Sequence, residues 1–153
     1  MYIATVIGLM LIFPVLSIVF ESFLRHQGAL EAHIVGKWFV FWAVGVRLLI
    51  AGLRQIVQPR YTAETILGIK DPDAMLIVRE LGFANAAIGS VALCSVFISG
   101  WILPMAILGA IFYGLAGMNH VTHRPRNTLQ SVAMTSDLFA AAVLLTICYF
   151  QTC

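Results

Sequence analysis

Five stretches of this chain are so long and so apolar that they leave little choice of fold. They are Tyr2–Phe20, Trp38–Val57, Leu81–Ile98, Trp101–Met118 and Val132–Phe150. Each approaches or reaches the roughly 20 residues needed to cross a hydrocarbon core. Inside a bilayer every backbone N–H and C=O must be satisfied within the segment, so each stretch is expected to be a helix. The predicted fold class is all-α: a polytopic transmembrane helical bundle of five spans, forming one domain over residues 1–153. With their polar flanks the spans reach about 2–20, 38–57, 76–98, 101–120 and 130–150.

Composition agrees with this reading. Hydrophobic residues make up 61% of the 153 and charged ones 10%, where a soluble domain carries about 25% charge. The net charge of +2 is too small and too dispersed for a nucleic-acid partner. Cys94, Cys148 and Cys153 form neither a CxxC pair nor a zinc pattern, and Cys94 and Cys148 read as small packing residues. The opening "MYIATVIGLMLIFPVLSIVF" has no basic n-region and no small-residue cleavage site after it, and is expected to be a retained span.

Only "SGW" separates the third and fourth spans, which must therefore form an antiparallel hairpin. Asp71 before Pro72 is expected to cap the third helix ahead of the membrane, putting Arg79 and Glu80 at the interface. The connection "PRYTAETILGIKDPDA" is expected to hold a short interfacial helix with Ile66, Leu67 and Ile69 toward lipid. Arg54, Arg60, Lys70, Arg79, Arg124 and Arg126 gather at one end of the bundle, against Arg25 and Lys37 at the other. The positive-inside rule then predicts a multi-pass protein with a cytoplasmic N-terminus and an outside C-terminus. Trp38, Trp42 and Trp101 fall at the outer face as an aromatic belt. Gly82, Ala86, Gly89, Gly109, Gly114 and Gly117 mark close helix contacts.

Polar residues converge on one depth. At 1.5 Å per residue, Arg47 lies about 15 Å and Asp137 about 12 Å inside the cytoplasmic boundary. Arg54, seven residues on, returns to the face of Arg47 within about 20°. An unpaired charge at such a depth costs at least about 2.5–3.5 kcal/mol, so partners are expected. Asp137 and Glu80 are the candidates, giving a set of Arg47, Arg54, Glu80 and Asp137 that balances its own charge. Asn85, Asn119 and His120 come from the same half of the bundle. Two interpretations remain open: ion pairs that fix which helix neighbours which, and a polar site that binds a ligand or a proton.

His120 and His123 share a face at i, i+3, a spacing metal sites use, but two histidines make half a site. His26 and His33 lie across the membrane, so no metal is expected. The sequence holds no nucleophile elbow, Walker loop, dinucleotide fingerprint or HExxH motif. It names no cofactor, and any catalysis would be acid–base or electrostatic work by the Arg/Asp/Glu/His set.

The segments "RLLIAGLRQIVQP", "AETILGIKDPDA", "RELGFANAAIG", "IFYGLAGMNH" and "SDLF" resemble small bacterial membrane proteins of the DoxX-like kind. The resemblance runs from about Val46 to Phe150, with the first span as an addition to a four-helix unit. It implies a compact helical bundle and a loose association with redox or quinone-linked membrane complexes. The CxxC-like features of some such proteins are absent here.

Three functions follow from these residues. The first is a binding or accessory protein that holds a small amphipathic, lipid-soluble molecule or a partner helix against the polar layer. The second is a proton- or ion-coupled transporter, and the third a membrane enzyme acting on a lipid-soluble substrate. Membrane lipid is the expected surrounding partner, and the glycine-rich faces predict a homo-oligomer.

Overall fold

A computed structural model describes residues 2–24, 31–122 and 127–152. Expectations resting on Arg25, His26, His123, Arg124, Arg126 and Cys153 lie outside the described residues. Five helices are long and apolar enough to cross a membrane: α1 (Ile3–Leu24), α2 (Ala32–Val57), α3 (Ala74–Cys94), α4 (Ser99–Thr122) and α5 (Thr128–Thr152). No strand occurs among the described residues. The chain is a multi-pass, all-helical membrane protein.

α2 is the hub, touching each of the other four helices, while α4 and α5 pair along their length. The core gathers around α2, with Val40, Ala43, Val44 and Leu48 packed among Met10, Ala106, Tyr113, Ala140 and Leu144.

Two helices are not regular, and this positions the polar site. In α1 the turn Gly8–Ile12 is π-wound, and the Phe13 N–H donates to the Gly8 carbonyl five residues back. Pro14 follows directly; its ring would press on the Met10 carbonyl of a regular helix, and the wide turn relieves that clash. In α2 the segment Val40–Val46 is also π-wound, and the Arg47 N–H reaches the Trp42 carbonyl. Trp42 and Arg47 would stand about 140° apart on a regular helix. The i→i+5 winding swings them onto one side, so that both reach α1.

Contact between α2 and α3 is backbone on backbone. A Cβ on Gly52 would stand 2.5 Å from the Ala86 nitrogen, and one on Gly89 2.5 Å from the Leu49 nitrogen. A Cβ on Gly82 would stand 2.9 Å from the Gly52 carbonyl oxygen, and one on Gly45 2.8 Å from the Leu93 side chain. The pairing is antiparallel, Gly45 opposite Gly89 and Gly52 opposite Gly82. Of the glycines expected at close contacts, Gly82, Gly89, Gly109 and Gly117 are so placed, but Gly114 has no neighbour nearer than the Ala141 Cβ at 3.9 Å.

Three local expectations change. The third helix starts at Ala74, because Asp71, Pro72 and Asp73 form a turn of i→i+3 bonds and the Asp71 carboxylate accepts from the Asp73 N–H. It also ends at Cys94, short of Ile98, in a turn around Ser95 whose hydroxyl donates to the Ala92 carbonyl. The expected interfacial helix is the π-wound turn Tyr61–Ile66, with Ile66 and Leu67 half-buried instead of facing lipid and Ile69 exposed. Asn127 and Gln130 explain the difference, since they form a reciprocal capping box at the start of α5. Their amide nitrogens also donate to the Ile66 and Leu67 carbonyls, 3.1 and 3.3 Å away, tying that turn to α5.

Candidate functional site

Arg47 stands about midway along α2 and is met from three other helices. Its guanidinium donates to Asp137 Oδ1 at 2.7 Å and to Ser136 Oγ at 3.0 Å, both on α5. A third N–H approaches Met10 Sδ on α1 at 3.4 Å, and the guanidinium carbon sits 4.8 Å over the ring of Tyr113 from α4. Tyr113 is wholly buried and its hydroxyl donates to the Ala43 carbonyl of α2. The Arg47 side chain is 12% exposed and that of Asp137 9%, so the pair is largely out of solvent. An ion pair so placed holds only when hydrogen bonds and a nearby π-face supplement the Coulomb attraction, as Ser136 and Tyr113 do. His120 lies half-buried on α4, about two turns beyond Tyr113.

Arg47 and Asp137 thus come together, and His120 lies on the same helix as Tyr113, which covers Arg47. The other four candidates do not join them. Arg54 lies exposed, its guanidinium 3.6 Å from the centre of the Tyr61 ring. Glu80 is exposed on the far side of α3, and among the described residues no ion pair joins it to Arg54 or Arg47. The balanced four-charge layer is therefore a single pair. Asn85 is buried at the α2–α3 contact, where its amide donates to Gln55 Oε1 at 2.8 Å and its own carbonyl oxygen has no partner among the described residues. Asn119 is exposed, its backbone carbonyl accepting from Thr122.

The sequence reading passed over several contributors. Ser136 and Gln55 adjoin residues that had been singled out, and polar residues inside a span were signal enough. Met10 and Tyr113 carried no such mark. A second polar group lies toward the opposite end of α1 and α2: Glu21 pairs with Lys37 and accepts from Trp38 Nε1 at 2.6 Å. Trp42 Nε1 donates to Ser17 Oγ at 2.9 Å beside the Phe13 ring. Two of the three tryptophans expected in the belt therefore bind α1 to α2.

A central ion pair fixed by four helices of a five-helix membrane bundle defines the class: a small polytopic membrane protein with an internal polar cluster. More particularly, the chain belongs to the DUF6790 family, a family of unknown function whose model matches residues 2–152. No curated protein and no solved structure matches it.

Proposed function

We propose that this protein binds a small amphipathic molecule within the membrane, with the Arg47–Asp137 cluster meeting its polar end. One observation carries this: a guanidinium held by a carboxylate, a hydroxyl and an aromatic face at the meeting of α1, α2, α4 and α5. Such a group is oriented before any ligand arrives, which lowers the cost of ordering it on binding. The π-wound turns that deliver Met10 and Arg47 add weight, since such turns are frequent at functional sites. Half-buried His120 gives the cluster a polar approach from the end where the basic residues gather, the end we take as cytoplasmic along with the N-terminus. The DoxX-like resemblance belongs to this reading and would favour a quinone-like molecule.

Protein extracted from its own membranes into lipid nanodiscs, followed by mass spectrometry of the bound small molecules, tests the proposal. A molecule retained in fixed proportion by the natural chain and lost from a folded Asp137→Asn variant is the expected result. Equal retention by natural and variant protein, or nothing beyond bulk lipid, overturns it. Solute or proton flux in proteoliposomes with no retained molecule would replace binding by transport.

A further inference from the structure

We propose that the outward face of α3 docks a second copy of this chain. Surface left against lipid should be the most apolar a chain has, because ionisable groups there are expensive. α3 inverts that expectation. It has the lowest mean hydropathy of the five helices, 1.4, and the smallest buried share, 28%. α1 is nearly as uncovered at 33%, but its hydropathy is 2.7. α1 suits contact with lipid along its length, whereas α3 puts Arg79 and Glu80 on its exposed side.

Successive residues turn by about 100° around a helix. Val78, Gly82, Asn85, Gly89 and Ala92 line the buried side of α3. Opposite them stand Glu80, Ala84, Ala87, Val91 and Cys94, all exposed and spaced alternately by four and three, the spacing of a helix-packing seam. Arg79, also exposed, flanks this seam beside Glu80. The alanines would allow close approach, but they do not choose a partner. Charge does. Two copies inserted the same way round are related by a two-fold axis along the bilayer normal, so their α3 helices meet in parallel and residues of the same number lie at one level. Each copy then brings one arginine and one carboxylate to the same level. Arg79 of either copy neutralises Glu80 of the other, which a lipid chain cannot do. This face lies away from the Arg47–Asp137 cluster, so the proposal stands whatever that cluster binds.

Cys94, at the far end of the seam, provides the test. Full-length protein carrying Cys148→Ser and Cys153→Ser is treated in its native membranes with copper–phenanthroline. The expected result is a reductant-sensitive dimer, absent when Cys94→Ser is added. Glu80→Arg should abolish that dimer by setting four cations together, and adding Arg79→Glu should restore it. Ala87→Trp should abolish it too, without changing thermal unfolding, because it alters only the open face. A dimer indifferent to Glu80→Arg and Ala87→Trp overturns the proposal. So does a monomer by native mass spectrometry from nanodiscs with no cross-link, or Cys94 cross-linked to a different protein.

Discussion

α2 meets its neighbours in two unlike ways. Toward α3 it presents Gly45 and Gly52, and the two backbones touch with a single amide pair, Asn85 and Gln55, between them. Toward α1, α4 and α5 it presents Arg47, and the contact is organised by charge. In lipid there is no hydrophobic force to draw helices together, so packing and hydrogen bonding must do it. The glycine side uses shape, which fails gradually as atoms are added. The arginine side uses a desolvated ion pair, which fails sharply when one member is removed.

That difference sets the largest expected effect. Arg47→Met or Asp137→Leu alone leaves a buried charge unpaired and should destabilise by about 3–5 kcal/mol, whereas the two together should recover most of the loss. Reversible unfolding in mixed micelles, read by circular dichroism, measures both. If each single variant costs less than about 1 kcal/mol, water or lipid headgroups reach the pair and the contrast between the two sides of α2 disappears. Asp137→Asn should cost less than Asp137→Leu, because its amide oxygen still accepts from Arg47 although it no longer balances the charge, so binding can be measured on the folded fraction.

Next comes the glycine side. Gly52→Ala puts a methyl group against the Ala86 nitrogen and the Gly82 carbonyl oxygen, 2.5 and 2.7 Å away, and neither is a side chain that can swing aside. The helices must part, at about 1–3 kcal/mol, the usual range for overpacking. The same unfolding experiment should show it, and a cost as large as that of losing Arg47 would mean that shape holds this bundle as tightly as charge. Asn85→Leu should be milder, within about 1 kcal/mol of neutral. It gives up one interhelical hydrogen bond of about 0.6 kcal/mol and leaves Gln55 Oε1 without that donor. It also removes the Asn85 carbonyl oxygen, which has no partner among the described residues, so one unsatisfied acceptor replaces another.

These two sides were not equally readable in the sequence. The five spans follow from hydropathy, which no tertiary contact can override in a bilayer, but the short loop between α3 and α4 does not make them packing partners: α3 lies chiefly on α2 and α4 on α5. Arg47 and Asp137 were found by depth alone, since a charge near mid-membrane must have a partner at its own level. Depth failed for Arg54 and Glu80, because it gives a level and not which helices still cover that level. Periodicity gives no sign that Trp42 and Arg47 share a side, because a π-wound turn resets the angle between them and nothing in "VFWAVGV" announces it. Glycine counting had the opposite fault: it marks every small residue on a helix, whether or not a neighbour stands there.

Gly114 is the case that isolates this last point, and its effect should be the smallest. It lies on α4, as do Gly109 and Gly117, whose added methyl groups would stand 2.7 Å from Val44 and Leu138. A methyl on Gly114 would meet only the Ala141 Cβ, at an ordinary contact distance of 3.9 Å. Nothing has to move, and the helix gains from losing the freedom of an unfolded glycine, by up to about 1 kcal/mol. Gly114→Ala should therefore stabilise slightly where Gly117→Ala destabilises, though the two sit in adjacent turns of one helix. Parallel unfolding curves for these variants would show whether close contact or mere helix position makes a glycine necessary here. Should Gly114→Ala prove as damaging as Gly117→Ala, something must occupy the space beside Gly114 in the membrane, and α4 would have a neighbour there beyond this chain's own helices.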